Sequence, residues 1–225
     1  MKTLIIGDIH GCYDEFQLLL NKTGITAEDQ IIALGDIIDR GPQSLSVVNF
    51  FKSQKNTLCI LGNHEVKHIN IFWGMLKPAP SQQLVIQNIS TLEHAEMVHY
   101  FEKLPEYFEL PEALLIHGML EPNIPLEKQQ KKVLVGSTAG ELFLQKNYSK
   151  PWYEYSHGDK PVIAGHHDYS NTGKPIVISD KIFLIDTGCC YGKNLTGIIL
   201  PDFKIISVKS KKNYWGLAMQ NFRGN

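Results

Sequence analysis

Short runs of four or five apolar residues recur along the chain, each ending on Gly, Asp, Asn or His. Residues 3–6 lead into Gly7-Asp8, 31–34 into Gly35-Asp36, and 57–61 into Gly62-Asn63-His64. Residues 113–116 lead into His117-Gly118, 161–164 into Gly165-His166, and 181–185 into Asp186-Thr187-Gly188. Runs this short, without polar alternation and punctuated by Gly, predict strands buried on both faces. Between the first three lie helical patterns. Residues 13–22 carry Phe16, Leu19 and Leu20 on one face, and 45–51 are apolar at helical spacing. The order βαβαβ predicts an α/β chain with a largely parallel sheet and helices on its faces. Sites in such folds form at the carboxyl ends of strands, where the Asp, Asn and His residues fall. Residues 66–110, with Trp73, Met75 and the Pro78-Ala79-Pro80 break, read as a helical cap or insertion over one edge. Residues 119–160 read as a long loop region with a short helix near 139–146, and 196–200 with 204–208 as a hairpin adding strands.

The 225 residues suit a single domain, 1–225, able to bury roughly 70–75% of its unfolded surface. Near balance between 22 Lys+Arg and 23 Asp+Glu argues against a stable nucleic-acid partner, yet leaves room for a small phosphorylated substrate. Arg40 and Arg223 are the only arginines. Because a guanidinium is the preferred bidentate phosphate clamp, Arg40 stands out. Cys12, Cys59, Cys189 and Cys190 have no framework spacing and read as reduced thiols. No run approaches the ~18 apolar residues of a membrane span, and the opening apolar run is too short for a signal peptide. A cytoplasmic protein with no membrane partner is expected.

The chemistry gathers where the runs end. Gly7-Asp8-Ile9-His10-Gly11 sets a carboxylate and an imidazole at i, i+2, which on an extended segment share a side. Gly35-Asp36-Ile37-Ile38-Asp39-Arg40-Gly41 adds a second carboxylate and the stand-out arginine, then come Gly62-Asn63-His64-Glu65, His117-Gly118 and Gly165-His166-His167. A lone His at a strand end is usually structural. Five polar clusters ending five strands are better explained by cations that compensate crowded Asp8, Asp36, His10, His117 and His166. Mixed oxygen and imidazole donors suit Mn, Fe or Zn better than Mg or Ca.

The run GDIHG, GDIIDRG, GNHE, HG, GH, in this order, resembles the calcineurin-like metallophosphoesterases. Within them it is similar to the branch holding the Ser/Thr phosphoprotein phosphatases and the bacterial diadenosine tetraphosphatases. The stretch from Ile185 through Tyr191-Gly192 to Leu195-Thr196 resembles the closing strands of the bacterial members. The resemblance implies a four-layer sandwich: two packed mixed β-sheets flanked by helices, with two divalent ions, Mn first, at one end. Asp8, His10 and Asp36 would bind one ion, and Asp36, Asn63, His117 and His166 the other. His64 would be the general acid oriented by Asp39; Arg40, with Asn63 and His64, would hold the phosphate. Such a pair of ions clamps phosphate and an attacking water in an in-line displacement, and histidine is the side chain most often used to hand a proton to a leaving group.

Two positions depart from the family pattern: Met119 stands where a second Gly follows His-Gly, and His167 where Thr follows Gly-His. No Arg occurs from 41 to 222, so the second phosphate-binding arginine of phosphoprotein phosphatases is missing; Lys150 and Lys160 are candidate replacements. His167 is expected in a supporting or surface place, and His68, His94 and His99 on helix surfaces or in packing. The aromatic set Phe50, Phe51, Phe72, Trp73, Tyr100, Phe101 and Phe108 is expected in the core. The leading expectation is a phosphomonoesterase of the Ser/Thr phosphatase kind, acting on a phosphorylated protein or small molecule. The alternative is a dinucleoside polyphosphate hydrolase. Asp39 matters here, because the symmetrical diadenosine tetraphosphatases often lack the Asp of DRG while the asymmetrical type keeps it. A 3′-end nucleic-acid phosphatase is disfavoured by charge, and a non-catalytic scaffold by the complete ligand set.

Overall fold

The computed structural model describes residues 1–224, with side chains through Phe222. Sheet I is built from β1 (Thr3–Ile6), β2 (Gln30–Ala33), β3 (Thr57–Cys59), β9 (Asn194–Leu200) and β10 (Lys204–Lys209), in the order β10-β9-β1-β2-β3. Sheet II holds β4 (Tyr107–Glu109), β5 (Leu114–Ile116), β6 (Val162–Ala164), β7 (Ile176–Ile178) and β8 (Ile182–Leu184), in the order β4-β5-β6-β8-β7. β1, β2 and β3 are parallel, joined through α1 (Tyr13–Thr23) and α2 (Ser44–Ser53). The expected hairpin is β9 and β10, and β9 lies antiparallel along β1. A largely parallel single sheet is therefore replaced by two mixed ones, as the resemblance implied. The edge strands β4 and β7 went unanticipated because each is a three-residue, partly exposed segment, Tyr107–Glu109 and Ile176–Ile178, too short to stand out as a buried run.

The strand residues alternate between two cores. In β1, Leu4 and Ile6 pack toward α1 and α2 while Ile5 faces sheet II. In β6 and β8, Ile163 and Phe183 meet Ile5 and Ile32 between the sheets, whereas Val162, Ala164, Ile182 and Leu184 face outward. There they are covered by α6 (Lys131–Leu134) and α7 (Thr138–Asn147). Both faces of these strands are apolar because both are buried. Each such side chain contributes about 1.5–3 kcal/mol on burial. The layers are helix, sheet, sheet, helix.

Residues 66–110 form α3 (Asn63–Phe72), α4 (Pro80–Ile86) and α5 (Thr91–Phe101) before entering β4. The expected helix near 139–146 is α7, begun by the Ser137 side chain, which accepts from the Gly140 N–H. The last helix, α8 (Tyr214–Gly224), was not anticipated. All four cysteines are buried free thiols. Of the expected core aromatics, Trp73 is instead exposed, its indole N–H donating to Glu102. Among the described residues no helix is long and apolar enough to cross a membrane.

Candidate metal centre

The loops that follow β1, β2, β3, β5, β6 and β8 lie at one end of the two sheets, tied across the sandwich. The backbone N–H of His166 donates to Asp8 Oδ1 (2.9 Å), and the His117 ring nitrogen Nδ1 lies 2.8 Å from the Leu34 carbonyl. Backbone conformation does much of the aiming. His10, Asp36, Asp39, Arg40 and His166 all have positive φ, from 46 to 74°, a conformation costly for non-glycine residues and concentrated at functional sites. Asp8 and His10 do converge, His10 Nε2 lying 3.8 Å from Asp8 Oδ2, but through this left-handed turn rather than along an extended segment.

Three hydrogen bonds assign the proton positions on the histidines. His10 Nδ1 faces the Ile38 carbonyl (2.9 Å), His117 Nδ1 the Leu34 carbonyl, and His166 Nε2 the Glu141 carboxylate (2.8 Å). Each contact takes the ring proton and leaves the other nitrogen bare. The bare nitrogens point at Asp36: His10 Nε2 lies 3.5 Å from its Oδ2 and His117 Nε2 3.4 Å from its Oδ1. Two groups of donors thus share Asp36, namely His10 with Asp36 and His64, and Asp36 with His117 and His166.

The donor set fits cations. Asp8 Oδ2 is buried without any hydrogen-bond partner. The Asn63 side-chain oxygen faces acceptors alone, with its nitrogen toward Lys67; only with the amide turned would an NH₂ donate to Asp36, His117 and His166. With the oxygen facing those acceptors, a cation between them would satisfy it. Burial, then the neighbouring Asp186 and Asp36 carboxylates, hold Asp8 well above the usual carboxylate range. Burial pushes Asp186 itself up to about 6. At Asp36 burial acts upward but the surrounding His117, His64 and His10 outweigh it, holding the carboxyl low. Burial brings His117 down to about 4, so its ring is neutral and its lone pair free to ligate. Three crowded carboxylates and neutral imidazoles are the pattern that divalent ions compensate.

Beside this cluster stands a second device. His64 Nδ1 lies 2.5 Å from Asp39 Oδ2 in full burial. Asp39 Oδ1 receives His68 Nε2 at 2.9 Å, and the Gln82 amide donates to Oδ2. His68 Nδ1 in turn meets His94 Nε2 at 3.1 Å. Of the two places expected for His68, a helix surface or packing, the structure gives the second: it is wholly buried on α3, one turn beyond His64, and in addition holds Asp39. The i, i+4 spacing of His64 and His68 was the available signal. His94 does pack, against His68 and Phe72, and His99 is exposed beside Glu102. On its open side His64 Nε2 faces Arg40 Nη2 at 3.0 Å, while Arg40 Nη1 reaches His10 Nε2 at 2.6 Å.

Two further carboxylates were missed. Glu65 accepts from the backbone N–H groups of Asp36, Ile37 and Gly62 (2.9–3.0 Å), knotting the β2 and β3 loops together. A Cβ on Gly62 would strike Asp36 Oδ1, so the close approach requires glycine. Glu141 on α7 accepts from both His166 and His167 (2.8 and 2.9 Å), a partnership between distant segments that no local pattern announces. His167 is thus a half-exposed supporting group, and Met119 is buried. Lys160 is occupied by Glu109, whereas Lys150 lines a cleft bordered by Glu141 and His167.

The model of the calcineurin-like phosphoesterase family matches residues 1–206. The chain is 30% identical to the asymmetrical bis(5'-nucleosyl)-tetraphosphatase PrpE of Oceanobacillus iheyensis, covering 95% of this chain and 94% of that protein. It is 24% identical to the symmetrical bis(5'-nucleosyl)-tetraphosphatase of Proteus mirabilis, covering 87% and 93%. A crystal structure described as that of a candidate diadenosine tetraphosphatase superposes with a TM-score of 0.76 at 25% identity, covering 93% of each chain.

Proposed function

The chain belongs to the calcineurin-like phosphoesterase family and is a metal-dependent phosphoester hydrolase; from that premise we propose that it hydrolyses dinucleoside polyphosphates, cutting them asymmetrically into a mononucleotide and a nucleoside triphosphate. The observation that carries this reading is the similarity to tetraphosphatases: over nearly the full length, asymmetrical relatives match at 27–30% identity and symmetrical ones at 24–26%, a 30% match to a symmetrical enzyme being confined to 72% of this chain. The presence of Asp39 agrees with the asymmetrical type. The Ser/Thr phosphatase reading favoured by sequence motifs thereby moves to second place.

In this reading Asp8, His10 and Asp36 hold one divalent ion, and Asp36, Asn63, His117 and His166 the other, with manganese the first choice for mixed donors. Bound there, the ions supply positive charge for phosphoryl oxygens and an acidified water for attack. Arg40 and His64 converge, 3.0 Å apart, so one phosphoryl group can meet both. The guanidinium lies 5.5 Å from the Tyr191 ring centre, which helps to fix the direction of its fork. As water oxygen bonds to phosphorus and the bridging P–O bond breaks, a proton carried on His64 Nε2 passes to the leaving oxygen. Asp39 stabilises the imidazolium before transfer and holds the ring by Nδ1 throughout. The same pair would serve a phosphomonoester, which keeps that substrate class as the second reading.

The test is product analysis. Protein stripped of metal and reloaded with Mn²⁺ is given diadenosine tetraphosphate, with a phosphopeptide and p-nitrophenyl phosphate alongside, and His64→Asn as control. AMP and ATP in equal amounts, lost in the variant, are expected. ADP alone would mean symmetrical cleavage, and preference for the phosphopeptide would restore the phosphatase reading.

A further inference from the structure

A cleft of ≈ 440 Å³ opens beside His166, with Glu141 and His167 at its border. Its lining includes Met119, Tyr148, Trp152, Tyr153 and Tyr169, with the exposed Lys150 among them. The rings form one continuous series that starts inside the donor cluster. His166 and His167 have centroids 4.0 Å apart, His167 and Tyr169 5.5 Å, Tyr169 and Tyr153 5.1 Å, and Tyr153 and Trp152 6.0 Å. The Trp152 indole N–H donates to the Tyr169 hydroxyl (3.2 Å), fixing two of the rings to each other. Tyr148 and Tyr153 are half-buried, so part of each ring is exposed. Glu141 turns one oxygen, Oε1, toward both His166 and His167.

This composition selects a ligand. Half-exposed aromatic faces stack nucleobases without needing a particular base edge, and the volume is that of a small-molecule site. An ammonium at the lining suits a phosphate. A groove of ≈ 520 Å³ on the Arg40 side has a mixed aliphatic and polar lining, including Leu84, Val85, Ile89 and Asn88, with Tyr214 as its aromatic ring in place of a series. We propose that the Tyr148–Tyr153–Tyr169 cleft is the subsite for one nucleoside end of the substrate, with the base stacked on tyrosine and Lys150 paired to the polyphosphate. It rests on the dinucleotide reading above, which it extends by placing the base.

Trp152 supplies a readout independent of turnover. ATP and tripolyphosphate differ in the nucleoside, so each is titrated into Mn²⁺-loaded protein while tryptophan emission is followed, Trp152→Phe identifying the Trp152 signal. ATP is expected to quench that signal and to bind more tightly than tripolyphosphate. Tyr153→Ala should weaken ATP roughly tenfold, the order of one stacked base, and Tyr153→Phe should restore it. Lys150→Ala, at an exposed position with little folding risk, should lower the ratio of kcat/KM on diadenosine tetraphosphate to that on p-nitrophenyl phosphate. Equal affinity for ATP and tripolyphosphate, or an unchanged ATP affinity in Tyr153→Ala, overturns the subsite even if the dinucleotide is hydrolysed. ATP bound with the expected Tyr153 dependence, but no turnover of the dinucleotide, keeps the subsite and sinks the hydrolase reading instead.

Discussion

Replacing Asp39 by Asn converts one oxygen of a fully buried carboxylate into an NH₂ group. In the favourable orientation the retained oxygen still accepts from His68, but the NH₂ faces the donors on His64 and Gln82. Two charge-assisted bonds are lost, each worth about 1.5–3 kcal/mol. Breaking a buried ion pair from one side costs about 3–5 kcal/mol, and we take that as the expected loss of stability. At ~2–4 °C per kcal/mol for a chain of this size, Tm should fall by roughly 6–20 °C. A general acid contributes about 10²–10⁴ in rate, and it does so most for a poor leaving group. The assay is therefore a series of aryl and alkyl phosphates of rising leaving-group basicity, with thermal unfolding in parallel. Asp39→Asn should steepen the dependence of kcat on leaving group. A loss of the same size across the whole series, or a negligible change in Tm, would refute the role given to Asp39. A pH dependence follows from the same contacts. Burial alone would raise Asp39, but His64 and His68 hold it well below the usual range. Its folded pKa thus lies beneath the unfolded value of about 3.9, so its contribution is present above about pH 4 and drains away as pH falls further. Urea midpoints measured from pH 6 downward should show that loss in the native protein and less of it in Asp39→Asn.

Asp8→Asn should leave metal-free protein as stable or more so, since it removes an unpartnered buried carboxylate oxygen. Mn²⁺ at ~100 times its Kd should add about 2.7 kcal/mol to the native protein and clearly less to the variant; an equal gain in thermal shift would remove Asp8 from the ligand set. Glu141→Gln should lower Mn²⁺ affinity by about 10–100-fold through a misdirected His166, with excess Mn²⁺ recovering most of kcat; an unchanged calorimetric Kd would contradict it. Gly165→Ala places a Cβ on Asp8 Oδ1, whereas at Gly158, also in a loop, nothing lies within 4 Å. The first should cost about 1–3 kcal/mol by overpacking and impair Mn²⁺ binding, the second should spare Mn²⁺ binding, and equal Mn²⁺ affinities would show that the close approach is immaterial.

The central strands were legible because residues such as Leu4, Ile5 and Ile6 are buried on both faces, so that burial writes a continuous apolar run into the sequence. Asp8, Asp36, Asn63, His117 and His166 were legible because each stands within three residues of such a run's end, where a turn needs Gly and sets a polar side chain at the strand tip. The pairing of His64 with Asp39 was expected from the motifs, and the two side chains do meet. What stayed hidden depends on contacts between distant segments. Glu141 reaches His166 across 25 positions, His68 reaches Asp39 across 29, and the tyrosines of the cleft come from residues 148–169 with no shared period. The division of the strands into two sheets was hidden from periodicity too, since a strand buried between helix and sheet carries the same apolar run as one buried between two layers of helices. Local sequence determined which segments are strands and which residues sit at their tips, because steric and burial constraints act over a few neighbouring residues. Only the tertiary structure decided which tips meet, which carboxylate holds which ring, and where the cleft opens, because those distances are set by how whole layers pack.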